Sequence, residues 1–134
     1  MSFSQSQVTF RVQASAERVV LVLYVGGTMG MKPDALSGEL RPEPSALVEH
    51  MKEMQEFREP SQNLPQLVVQ SFDPLLDSAD MDPDDWIKIA RRVEEEYHHY
   101  DGFVIVHGTD TMAYTASALS FLLEGLDKPV IFTG

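Results

Sequence analysis

The sequence has no cysteine, which excludes disulfide bonds and thiolate nucleophiles but by itself says little about redox compartment. No apolar run approaches the roughly 20 residues that a membrane-spanning helix needs, and the N-terminal stretch lacks the basic-then-apolar layout of a signal peptide. A cytoplasmic protein without membrane contact is therefore expected. Basic residues are scarce too: 10 Lys and Arg stand against 21 Asp and Glu, a net charge of −11. Counterion release rewards basic surfaces, so nucleic acids and anionic membranes are poor partners for this chain. Much of the acid excess is local, with ten acids and three bases over residues 73–101. Glu94, Glu95 and Glu96 point different ways around a helix, which reads as a solvated face and not as a metal site.

What is present is a succession of short apolar runs separated by helical patterns, with no internal repeat. Residues 1–18 read as an N-terminal extension or edge arm, in which residues 8–12 alternate apolar and polar. Residues 19–25 (VVLVLYV) are β-branched or large and apolar, as in a central parallel strand. Residues 32–44 hold three prolines and one glycine and read as a loop. Apolar residues at 47, 51, 54 and 57 predict a helix over 45–57. A short strand follows at 67–72, and Asp82-Pro83-Asp84-Asp85 then opens a helix with an N-cap Asp, Pro at N1 and acids in the first turn. Trp86, Ile89, Ala90, Val93, Tyr97 and Tyr100 form its apolar stripe. A buried strand at 102–106, a mostly apolar helix from Ala113 to Leu123 stopped at Gly125, and a further buried strand beginning at Pro129 complete the chain. Strands alternating with helices predict an α/β fold, a parallel sheet with helices on both faces.

Three loops then fall at the carboxyl edge of that sheet, where ligands bind in open α/β folds. The first, Gly26-Gly27-Thr28-Met29-Gly30, has glycines that allow close backbone approach and presents one Thr hydroxyl. It matches neither the dinucleotide fingerprint nor the P-loop. A hydroxyl among backbone N–H groups fits a nucleophile beside an oxyanion site, and an ST-turn accounts for the same residue. The second loop carries Asp77 and Ser78, suited to the charged groups of an amino acid or to turn chemistry. The third carries Thr109 and Asp110 at the start of a helix, where capping alone explains either residue. His107 beside them reads as a hydrogen-bonded structural histidine, since neither neighbour in sequence is an acid. The adjacent His98 and His99 lack a third ligand, and no metal is expected.

The blocks Val25-Gly26-Gly27-Thr28-Met29-Gly30, Asp77-Ser78-Ala79-Asp80-Met81 and His107-Gly108-Thr109-Asp110-Thr111-Met112, in that order, resemble the bacterial-type L-asparaginases. Pro83-x-Asp85-Trp86 and the run from Ala113 to Phe121 resemble the type I, cytosolic branch. The resemblance covers residues 19–134 and implies a partial, Rossmann-like N-terminal asparaginase domain whose C-terminal remainder is absent from the chain. It implies hydrolysis of L-asparagine without a cofactor, through attack of Thr28 on the side-chain amide carbon. Thr109 is similar to a second threonine in the chemistry. Asp110 resembles the carboxylate that joins its relay and holds the substrate α-amino group, and Asp77 and Ser78 match the loop that binds the amino-acid end. A glutaminase-like amidohydrolase shares these motifs, and a non-catalytic fragment or association module would share the fold. The family places an activating lysine well beyond the third block, and Lys128 is too near that block to match it. The resemblance also implies a homo-oligomer or a complementary C-terminal chain as partner. Val25 stands where relatives carry Thr, and Ala79 where type I relatives carry Ser.

Overall fold

A computed structural model describes residues 7–8, 17–59 and 64–134. The elements run β1 (Gln7–Val8), β2 (Val19–Tyr24), β3 (Met31–Pro33), β4 (Leu40–Pro42), α1 (Pro44–Glu53), α2 (Gln55–Arg58), β5 (Gln66–Ser71), α3 (Pro83–Glu96), β6 (Gly102–Val106), α4 (Met112–Leu122) and β7 (Val130–Thr133). Five strands form one sheet in the order β1-β5-β2-β6-β7. Strands β5, β2, β6 and β7 are mutually parallel, and β1 is antiparallel to β5 at the edge. The alternating stretch 8–12 lies, from Thr9 onward, outside the described residues.

The apolar run at 19–24 becomes the central strand because both of its faces can be buried. Val22 and Tyr24 point to one side and meet Leu47, Val48 and Met51 of α1, together with Val69 and Val106. Leu21 and Leu23 point to the other and meet Ile89, Ala90 and Val93 of α3, Leu119 of α4, and Phe103 and Ile105. Each of these strand residues is at most 4% exposed, and full burial of such a side chain contributes about 1.5–3 kcal/mol. The helices therefore cover both faces, as the alternation of apolar runs and helical patterns requires.

Four local expectations are corrected. Residues 32–44 are not a plain loop, because β3 and β4 pair as an antiparallel hairpin, Met31 opposite Pro42 and Pro33 opposite Leu40. Its turn is closed by Asp34, whose carboxylate accepts from the N–H groups of Leu36 and Ser37. The helix predicted over 45–57 is interrupted at Met54, which adopts extended φ and ψ of −69° and 134°; no Gly or Pro marks the break. The last strand is not a buried one: Val130 and Phe132 are half-buried beneath α3 and α4, whereas Ile131, on the opposite face, is 56% exposed. Finally, α4 starts one residue early and caps differently from expectation, a point that bears on the site.

The start of α3 follows the sequence closely. The Asp82 carboxylate accepts from the N–H groups of Asp84 and Asp85, and Asp85 accepts in return from the Asp82 N–H. Asp82→Ala is expected to lower stability by about 1 kcal/mol, read as a lower urea midpoint at unchanged slope. An unaltered midpoint would show that the cap carries no net free energy.

Candidate functional site

The three polar loops meet at the carboxyl ends of β2, β5 and β6. Main-chain bonds continue the sheet into them: Val25 N–H donates to Val106 O at 3.0 Å, and Leu76 N–H donates to Val25 O at 2.7 Å. Val25 thus acts through its main chain, and its side chain is fully buried among the apolar residues under α3. A valine serves that position as well as a threonine could.

Glycines let the loops touch. A Cβ on Gly27 would lie 2.8 Å from both Cα and N of Gly108. A Cβ on Gly108 would in turn lie 2.3 Å from Ser78 Oγ, and one on Gly26 would lie 2.0 Å from Leu76 O. Gly27 also adopts φ 98° and ψ 170°, a region in effect reserved for glycine. The first loop is thereby interlocked with the third, and the third with the second. Thr28 and Thr109 each follow directly on one glycine of the Gly27–Gly108 contact.

The result is a cleft of about 400 Å³ lined by Thr28, Asp77, Ser78, Thr109 and Asp110, with Met31 and Leu40 of the hairpin forming apolar wall. All five side chains singled out from the sequence are brought together. Thr28, Asp77, Thr109 and Asp110 are exposed to the cleft, while Ser78 is buried at its base. Thr28 opens the single 3-10 turn Thr28–Gly30, and its hydroxyl has no partner among the described residues. Capping does not account for Thr109 or Asp110, because the N-cap of α4 is Thr111 and no side chain caps that helix. Asp77 does serve as a turn former, accepting from Ala79 N–H at 2.9 Å. Ala79 is exposed and does not line the cleft, so a missing hydroxyl there takes nothing from its wall. Lys128 lies at the opposite end of the sheet, its ammonium on Tyr97 O and over the Tyr97 ring.

Residues outside the set of five hold this arrangement, and of these Thr111 was not singled out from the sequence. Thr111 Oγ1 donates to Ser78 O at 2.6 Å across a gap of 33 residues, a bond that no local pattern announces. His107 is fully buried, with Nδ1 at 2.6 Å from Gly108 O and Nε2 at 2.8 Å from Thr115 Oγ1. A carbonyl only accepts, so Nδ1 carries the proton and Nε2 accepts from the Thr115 hydroxyl. The structural reading of His107 therefore holds.

Burial pushes the His107 pKa below its ordinary value of 6.5, opposed by the bond to Gly108. Between the depressed value and 6.5, the unfolded chain takes up a proton that the folded chain refuses. Its contribution is thus fully present above pH 6.5 and is lost as pH falls toward the folded value. Urea unfolding at pH 7.5 and at pH 5 is expected to show this loss, and His107→Gln to flatten the slope. A slope unchanged in that variant would assign the effect elsewhere.

Comparison with known proteins agrees with the geometry. The family model described as Asparaginase, N-terminal matches residues 19–134. L-asparaginase 1 of Escherichia coli K12 is 48% identical over 118 residues, covering 88% of this chain and 34% of that protein. L-asparaginase of Dirofilaria immitis is 41% identical over 140 residues, covering 88% of this chain and 23% of that protein. The crystal structure of L-asparaginase I from Vibrio cholerae matches with a TM-score of 0.76 at 46% identity, covering 89% of this chain and 34% of that one. The chain spans between 23% and 34% of the length of these relatives.

Proposed function

The chain belongs to the asparaginase family through its N-terminal domain, and on that premise we propose that it supplies the nucleophile-bearing part of an amidohydrolase site for L-asparagine. The supporting observation is the single cleft that gathers Thr28, Thr109, Asp110, Asp77 and Ser78 from three loops. Thr28 Oγ attacks the side-chain amide carbon, and the hydroxyl proton passes to the departing nitrogen, which leaves as ammonia. The resulting aspartyl ester on Thr28 is hydrolysed by water, which returns the proton to Oγ and releases L-aspartate. The developing oxyanion is met by backbone N–H groups beside Thr28. Thr109 and Asp110 form the opposite wall, with the Asp110 carboxylate taking the substrate α-amino group. Ser78 and Asp77 hold the amino-acid end. No cofactor enters any of these steps.

A threonine hydroxyl is a weak nucleophile without a base, and no described side chain bonds to Thr28. The resemblance places the activating lysine outside these 134 residues, in further sequence or in a partner protomer, which makes a homo-oligomer or a complementary C-terminal chain part of the proposal. Among the described residues no helix is long and apolar enough to cross a membrane, and a cytoplasmic setting is part of the proposal by resemblance to the type I branch. The same observation favours a second reading, a binding module that holds an amino acid without turning it over. Preference for glutamine over asparagine is decided by one methylene, worth only about 1–3 kcal/mol.

The test is ammonia release from L-asparagine and L-glutamine in the presence of hydroxylamine. An acyl ester on Thr28 is expected to yield β-aspartyl hydroxamate at the expense of aspartate. Binding of L-aspartate without ammonia would establish the binding module, and neither binding nor ammonia would end the proposal.

A further inference from the structure

Beneath the turn that carries Thr28 lies a tyrosine that the proposed chemistry does not use. Tyr24 ends β2, is fully buried, and packs its ring with Leu47, Val48 and Met51. Its hydroxyl donates to Gly27 O at 3.0 Å. That bond holds the carbonyl just before Thr28, and Gly30, at the far end of the turn, rests on the same side chain. The fit is close on the carbon side too: a Cβ on Gly30 would lie 2.2 Å from Tyr24 Cζ and 2.4 Å from Oη. A bare glycine is what allows the turn to rest on the ring.

Packing alone would be served by phenylalanine. A hydroxyl taken from water into an apolar layer costs free energy unless it is bonded, and here its bond goes to the turn that carries Thr28. Burial also raises its pKa, so the group remains a neutral donor wherever the protein works. The Thr28 hydroxyl itself has no bond among the described residues, so its placement depends on the turn beneath it.

We infer that Tyr24 is a positioning residue: its hydroxyl fixes the Thr28–Gly30 turn so that Thr28 Oγ meets the substrate carbonyl. The inference rests on the reading of Thr28 as nucleophile. Its consequence is that loss of the Tyr24 hydroxyl slows turnover and leaves substrate affinity almost unchanged, because Asp110, Asp77 and Ser78 stand on other loops.

Tyr24→Phe keeps the ring and removes only the hydroxyl. Amide hydrogen exchange by NMR in the full chain is expected to show Thr28 and Gly30 exchanging at least about tenfold faster, with Leu21, Leu23 and Ile105 changed less than about twofold. In ammonia release, kcat is expected to fall about 10- to 100-fold and KM to move less than about threefold. Turn amides protected as in the wild type, or core and turn amides accelerated together, would overturn the inference. So would a fall in affinity with kcat unchanged. If the wild type releases no ammonia, the reading of Thr28 fails, while the exchange data still decide whether the hydroxyl holds the turn. Should Tyr24→Phe not fold, the wild-type spectrum decides: a slowly exchanging phenolic proton close in space to the Gly30 amide is expected, and its absence would overturn the inference.

Discussion

Thr28→Ala is expected to reduce ammonia release from L-asparagine by about 10⁴-fold or more, the scale on which removal of a covalent nucleophile acts. Stability should scarcely change, because the Thr28 hydroxyl is exposed and bonds to nothing among the described residues, and substitutions of that kind usually fall within about 0.5 kcal/mol. L-aspartate binding should also survive, since the charged end of the ligand faces Asp110, Asp77 and Ser78. The pairing of lost chemistry with intact folding and binding separates a nucleophile from a structural threonine. Thr28→Ser, which keeps the oxygen, should restore turnover to within a few orders of the wild type and regenerate the hydroxamate. Ammonia release by Thr28→Ala within tenfold of the wild type would remove Thr28 from the chemistry. The remaining candidate would be Thr109, whose hydroxyl faces the same cleft.

The sheet was legible in the sequence because its central strands, β2 and β6, are buried on both faces and so read as continuous apolar runs. Residues 19–24 and 102–106 appear in the structure within one residue of where those runs stand. The β3–β4 hairpin was hidden because only three residues pair on each strand and its prolines suggest a loop. The turn signal lay in Asp34, whose carboxylate closes the hairpin, but such a residue marks turns of many kinds. The break at Met54 had no signal in residue type.

Around the site, the local residues were legible and the couplings between loops were not. Thr109 and Asp110 could have been helix caps, and a sequence cannot tell a capping oxygen from one that faces a ligand. The structure separates them because the N-cap of α4 is Thr111, whose hydroxyl is committed to Ser78 O. The glycines show the same limit. Gly108 follows the strand end as an ordinary turn residue would, and its function is to leave room for Ser78, 30 positions earlier. Contacts of that separation are properties of the assembled sheet edge.

Those interlocks carry the second large effect. Gly27→Ala places a Cβ 2.8 Å from the Gly108 backbone, and neither side of that contact is a rotatable side chain, so the two loops must separate. The backbone at φ 98° and ψ 170° adds a conformational cost of about 1–3 kcal/mol for any residue other than glycine. Separation displaces Thr28 from Thr109, and a shift of about 1 Å between reacting groups can cost about 100-fold in rate. The expected outcome is a melting point several degrees lower together with loss of turnover of at least about that size. Gly38→Ala supplies the contrast: Gly38 also has a positive φ, 71°, but a Cβ there meets nothing within 4 Å. It should show a conformational cost of about 1 kcal/mol and little change in turnover. If the two variants lose equal stability and equal activity, the Gly27–Gly108 contact is not what holds the cleft together. If Gly27→Ala alone loses the chemistry, the juxtaposition of the two threonine loops is what the glycine pair exists to permit.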